Sequence, residues 1–202
     1  MAQITSIEQL GELYSQPSTR AANKSLYELD GYTRTFIEHC PFLLLSSVDE
    51  QGMTDVSPRG GLPGFVAILD NKTLLIPDSP GNNRLDTFRN LLERPGIGLM
   101  LMVPGVEEVV RIKGTASLHD DEEWLERCLD GKRPPKLVIK VDIQETFFHC
   151  AKAIMRAKLW DGTYTVDRDI LPSLAKILKE QQNLDGEAME QKEMVDYYQS
   201  TL

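Results

Sequence analysis

The sequence predicts a mainly β fold: about six antiparallel strands closed into a small barrel, with helices at both ends. Three observations carry that expectation. From roughly Pro41 to Leu159 the apolar residues come in short, strand-like runs. Those runs follow one another through hairpin-length connections, with only two helical inserts, unlike the regular strand–helix alternation of a parallel sheet. The 202 residues, 41% hydrophobic and 26% charged, suit one soluble domain with terminal arms and exclude a disordered, collagen-like or disulfide-stapled chain. The expected divisions are a helical segment over 1–40, the strand-rich domain over 41–160, and a helical extension with an acidic tail over 161–202.

The elements follow in order. Ile7, Leu10 and Leu13 share a face of a short helix that Pro17 ends. A second helical stretch starts near Ser18 and runs towards Leu29. Asp30-Gly31 breaks it, and Tyr32 to His39 is helical again. PFLLLSSVD (41–49) is a strand, and the glycine- and proline-rich SPRGGLPG (57–64) reads as a loop. GFVAILD (64–70) and TLLIPD (73–78) are strands joined by Asn71-Lys72, short enough for a hairpin. A helix from about Arg84 to Glu93 presents Leu85, Phe88, Leu91 and Leu92. IGLMLMVPG (97–105) and EEVVRIKGTASLH (107–119) are strands divided by Pro104-Gly105. Asp120 to Gly131 is a helix whose carboxylates fill the first turn, where the helix dipole favours them. Leu137 to Phe148 is a long strand, Cys150 to Leu159 a short helix, and the chain from Asp169 onward is helical.

The net charge of −9 argues against nucleic acid as a partner. More than half of that excess lies in the acidic stretch from Glu180 to Leu202, so it does not exclude a local anion site. Three widely spaced cysteines, Cys40, Cys128 and Cys150, fit reduced thiols and a cytoplasmic setting. No apolar run is long enough to span a membrane, and the first residues have no signal-peptide pattern.

Neither G-x-G-x-x-G nor a Walker loop is present, and His39, His119 and His149 fall on different elements, so no metal centre is expected. The strongest local signal is PDSPGNNRL (77–85), where Asn82, Asn83 and Arg84 stand at a helix start. Free N–H groups there favour an anion, and a guanidinium can grip phosphate bidentately. Capping by Asn82 or Asn83 accounts for the same residues. Arg59 sits in a second glycine-containing segment. Arg111 and Lys113 share one face of their strand, with Val110 and Ile112 on the other. In FFHCAKAIMRAKLW (147–160), Lys152 and Arg156 share a helix face flanked by aromatics, and could hold the edge of a planar, anionic cofactor. Cys150 as a nucleophile lacks a fixed base.

Together, DVSPRGGLPGFVAILD (55–70), TLLIPDSPGNNRLDTFRNLL (73–92), IGLMLMVPGVEEVVRIKGTASL (97–118) and FFHCAKAIMRAKLW (147–160) strongly resemble a branch of the pyridoxamine 5′-phosphate oxidase-like proteins, the FMN-binding split barrels. The resemblance implies a six-stranded antiparallel split barrel and a homodimer with FMN in the groove between subunits. It places cofactor contacts near Arg59, at Ile76 and Pro77, at Asn83 and Arg84, and at Arg111. The family's basic pair is broken here, since Leu85 follows Arg84. Val109 stands where the oxidase proper often has glutamine, and its substrate-recognising C-terminal segment has no match here. The implied activity is therefore FMN-dependent oxidoreduction of an unidentified small substrate, with NADH or NADPH as reductant and His149 as the one side chain nominated for chemistry. The alternatives are a non-catalytic FMN carrier, a true vitamin B6 oxidase, and a deazaflavin- or haem-handling relative.

Overall fold

The computed structural model describes residues 3–128 and 134–201. Its centre is one antiparallel sheet of seven strands: β1 (Phe42–Val48), β2 (Thr54–Gly60), β3 (Ala67–Ile68), β4 (Thr73–Pro77), β5 (Gly96–Met102), β6 (Val109–His119) and β7 (Val138–His149). Their spatial order is β2-β1-β5-β6-β7-β4-β3. The expected closed, six-stranded barrel is thus not what forms. The sheet is open, with β2 and β3 as unjoined edges, and helix and strand contents are roughly equal rather than mainly β. Closure would need the two edges to pair. β3 is only two residues long and offers no ladder to β2, although the hairpin rule gave the antiparallel pairing itself.

The seventh strand is β2, which lies where a loop was expected. Thr54-Asp-Val-Ser-Pro-Arg-Gly60 has no apolar alternation, and Pro58 cannot donate to a ladder. It is tolerated because β2 pairs only with β1, through Leu44 opposite Pro58 and Leu43 opposite Arg59. The long β6–β7 hairpin carries a bulge at Lys113/Gly114. A Cβ on Gly114 would run into the Asp142 carbonyl, so only glycine fits that close approach.

Register sorts the side chains onto two faces. Arg59, Leu43, Leu101 and Val110 align across β2, β1, β5 and β6 on one of them. This face is the core: Leu43, Leu101 and Val110 are fully buried and belong to a cluster with Phe36, Ile37, Phe88 and Leu91. Phe36 and Ile37 come from α3 (Gly31–Glu38), and Phe88 and Leu91 from α4 (Asp86–Glu93). The neighbouring residues on each strand, Phe42, Leu44, Met100, Met102 and Arg111, point to the opposite face and stay partly or fully exposed.

Before α3, α1 (Ile7–Leu13) and α2 (Thr19–Ala22) are short. The helix expected to continue to Leu29 ends at Ala22, because the following segment joins the sheet. Leu26 and Thr146 exchange two backbone hydrogen bonds of 2.8 Å, beyond the stretch of β7 that β4 covers. The helix expected over Asp120 to Gly131 is α5 (Glu122–Arg127), and 129–131 lie outside the described residues. α6 (Lys152–Ala157) follows β7. After a 3-10 turn at Arg168–Ile170, α7 (Leu174–Gln182) and α8 (Gln191–Thr201) are tied by Ser173, whose Oγ donates to the Met189 carbonyl at 2.7 Å. No helix among the described residues is long and apolar enough to cross a membrane.

Candidate functional site

Two cationic corners emerge, one on each side of the sheet. The first is built on the core face at the β2 edge. Arg59 follows from strand alternation: with Leu43 opposite, its side chain turns inward and is only 17% exposed. Its Nη1 lies 3.8 Å from Asp78 Oδ1, and its guanidinium stands 5.4 Å from the centre of the Phe88 ring. The Arg59 Nε is buried and has no hydrogen-bond partner. Burial lowers the Arg59 pKa from the ordinary arginine value, with Asp78 and Asp55 opposing the shift. Burial likewise raises the Asp78 carboxyl above the usual range, against Arg59 and Lys136. The pair is therefore long, partly desolvated and incompletely satisfied, and it leaves a donor for an anion.

Asp78 is placed by the end of β4, where its N–H donates to the Leu137 carbonyl at 3.0 Å. The loop after it leads into α4. Asn82 Oδ1 accepts from the Arg84 N–H at 3.1 Å, and Asn83 adopts a left-handed φ of 58°. Neither asparagine caps the helix. The capping position is Leu85, itself left-handed at φ 60°, and no side chain bonds the first turn of α4. A left-handed leucine costs on the order of 1 kcal/mol, and here it swings the loop so that Arg84 projects outward. Arg84 is 74% exposed, with Nε donating to Asp86 Oδ2 at 2.8 Å.

The second corner lies on the opposite face, along the β6–β7 ladder. Cross-strand pairing sets Arg111 against Phe147, and Val109 against His149. The Arg111 guanidinium stands 5.2 Å from the Phe147 ring centre. Lys24, from the segment before Leu26, places Nζ 4.4 Å from the same ring and 3.5 Å from the Phe148 carbonyl. His149 Nδ1 is buried without a partner. Burial first, then Lys24 and Arg111, pushes the His149 pKa below the usual histidine value. Next along the ladder, Glu145 accepts from Lys113 Nζ at 2.6 Å and from Ser25 Oγ at 2.5 Å.

The sequence-nominated residues therefore divide. Arg59 meets Asp78, which follows the strand end Ile76-Pro77 and opens the loop that carries Asn82, Asn83 and Arg84. Ile76 and Pro77 are buried, so they shape this corner through backbone position. Arg111 and His149 form the other corner. Lys152, exposed at the start of α6, has no contact that ties it to either. Reading the sequence missed Asp78 and Lys24. Asp78 directly follows the nominated strand end, whereas Lys24 lies in what looked like a helix, and no local signal marks it.

Ser117 Oγ, the His119 ring and Asp121 form a hydrogen-bonded chain, 2.8 Å to Nε2 and 3.2 Å from Nδ1, also hidden by its spacing of two residues along an exposed strand end. Ser117 and Asp121 are exposed, and the partly exposed His119 ring packs edge-on against Trp124. Among the described residues no group of three or more His, Cys, Asp or Glu side chains could hold a metal ion. Cys40 and Cys128 are buried and Cys150 is exposed. Burial raises the Cys40 thiol and pushes Cys128 up to about 11, opposite to the shift of a reactive thiolate.

Comparison with known proteins agrees with the sequence motifs. No curated protein matches the sequence. Among solved structures, the chain is similar to HupZ from Group A Streptococcus, at 17% identity over 59% of this chain and 93% of that one, with a TM-score of 0.48. It is similar to a Lactobacillus delbrueckii protein assigned as a pyridoxamine 5′-phosphate oxidase, at 22% identity over 61% and 98%, with a TM-score of 0.47. A third is General Stress Protein 26 from Bacillus anthracis, at 15% identity over 57% and 88%, with a TM-score of 0.38. The family model described as pyridoxamine 5′-phosphate oxidase matches residues 29–150, more than half of the chain and both corners except for Lys24. The chain belongs to the pyridoxamine 5′-phosphate oxidase family of flavin-related proteins.

Proposed function

We propose that this protein is a cytoplasmic FMN-dependent oxidoreductase that works as a homodimer on a small substrate. The observation that carries the reading is the partly buried Arg59 guanidinium, whose buried Nε has no partner and whose carboxylate neighbour is held at 3.8 Å. A phosphate monoester suits those donors in chemistry. It accepts from Nε, and the backbone of the 82–85 loop with the uncapped start of α4 offers further donors. Arg84 supplies a second, solvent-screened charge. Ile76 and Pro77 hold the floor of the corner rigid. Arg111, on the other face, is left for the ring end of a cofactor or for substrate.

FMN, when bound, supplies hydride transfer at the isoalloxazine N5. The chain's own residues bind, orient and exclude water. His149 is kept neutral near physiological pH by its burial and its cationic neighbours, so its ring can move a proton at Nδ1.

The dimer is supported by the face opposite the core. Phe42 at 36% and Val56 at 57% exposure, with the half-buried Leu44, Met100 and Met102, form a continuous apolar surface by register. Such a surface on a folded chain is normally covered. A second copy on this face would bring Arg111 and His149 of one chain towards the other.

The test is the absorbance of the purified protein. An oxidised-flavin spectrum, acquired on purification or on adding FMN, and its bleaching by NADH or NADPH without oxygen are expected. A colourless protein that ignores added FMN overturns the proposal. A flavin that no reductant bleaches reduces it to a carrier.

A further inference from the structure

The Lys24, Arg111 and His149 corner has a chemistry of its own. Each of its polar groups is a donor or can become one. The Lys24 ammonium gives one bond to the Phe148 carbonyl and has two donors left. The Arg111 guanidinium stacks on Phe147 and, among the described residues, has no carboxylate within ion-pair distance. His149 Nδ1 is buried and unpartnered, and both cations are close enough to disfavour its protonation. The nearest carboxylate, Glu145, is already engaged by Lys113 and Ser25. Lys24, Arg111 and Lys113 outnumber Glu145, and a site with several free donors, this excess of positive charge and an apolar ring at its base is complementary to an acceptor-only, negatively charged group.

We propose that this corner binds an oxyanion, the carboxylate or phosphate of an anionic small-molecule substrate, through Lys24, Arg111 and His149. The oxyanion accepts from Lys24 and Arg111, and the His149 ring beside them responds to its charge. Lys24 makes the N-terminal segment part of the site, and the Leu26–Thr146 pairing is what delivers it. That the oxyanion belongs to the substrate rests on the FMN reading above, whereas the site itself does not.

The chain has three histidines, so each imidazole can be followed separately by NMR. In the full-length protein, with and without FMN, His149 is titrated with inorganic phosphate, and separately acetate, at constant ionic strength. A bound anion favours the imidazolium, so saturating phosphate should move the His149 titration up by about 1 pH unit while His39 and His119 stay fixed. Arg111→Gln and Lys24→Gln should each weaken the response at least several-fold. Lys24→Gln alters an exposed side chain and is the control for folding. Equal movement of all three histidines, or a response unchanged in both variants, overturns the site. A response that FMN loading abolishes shows that the oxyanion is the cofactor's own phosphate, and overturns the assignment to substrate. A chain that takes no FMN overturns the cofactor reading, and the phosphate response of His149 still decides the site.

Discussion

Arg59 and Arg111 are the same residue type on two strands of one sheet, yet the fold turns them into different instruments. Arg59 faces the core, loses water, and is held by a carboxylate that is itself reluctant to ionise. Arg111 faces outward and lies along a phenylalanine ring that it shares with Lys24, and its nearest carboxylate, Glu145, is bonded to Lys113 and Ser25 instead. Burial makes the first corner selective and sensitive to geometry, because an unmet donor there costs about 1–3 kcal/mol. Exposure makes the second dependent on charge and on whatever covers the face. A chain that binds a phosphorylated cofactor and an anionic substrate needs both, and the alternation of a single strand period is enough to separate them.

The contrast can be broken most severely at the outer face. Met100→Glu puts a charge in the middle of the apolar surface, and sedimentation should show a dimer becoming a monomer, with flavin retention lost along with it. A monomeric wild type would remove the premise. At the inner corner, Arg59→Gln should weaken FMN binding about 10–100-fold, as expected for one lost charge-assisted contact of about 1.5–3 kcal/mol. Arg84→Ala, by comparison, should cost only about 2–5-fold, since that side chain is exposed and screened. An Arg84 effect larger than the Arg59 effect would reverse the ranking of the two. Asp78→Asn removes the group competing for the guanidinium and should tighten FMN binding a few-fold, measured by the quenching of flavin fluorescence on binding.

The smallest effect is on pH dependence. The folded pKa of His149 lies below its unfolded value of about 6.5. Its contribution to stability is therefore present above that value and is lost as pH falls towards the folded pKa. Lys24 and Arg111 are the cations facing it, with Glu145 the nearby carboxylate. In His149→Gln the thermal midpoint should decline less between pH 7 and pH 5 than in the wild type. An identical slope would mean that the ring is not held neutral.

Strand positions were largely legible, because hydrophobic runs such as FLLLSSV and TLLIP leave little else for the backbone to do. What local pattern could not convey was closure. Whether the ends of a sheet meet depends on edge strands, and here one edge is two residues long while the other hides in a Pro- and Gly-containing segment. The candidate anion residues could be named one by one from the sequence, but their grouping was not readable. The parity of a residue relative to the core fixes its face, and that parity became visible for Arg59 only once β2 was recognised as a strand paired with β1. Lys24 was beyond reach, since a tertiary pairing at Leu26 overrides the helical pattern around it.

The central claim is that Arg59 reads the phosphate of FMN. It is tested most directly by comparing the affinities of FMN and riboflavin, which differ only in that group, for the wild type and Arg59→Gln. The wild type should prefer FMN by about 100-fold or more, and the variant should lose most of this preference through weaker FMN binding while riboflavin affinity stays put. Equal affinities in the wild type, or an FMN-to-riboflavin ratio unchanged by Arg59→Gln, would contradict it.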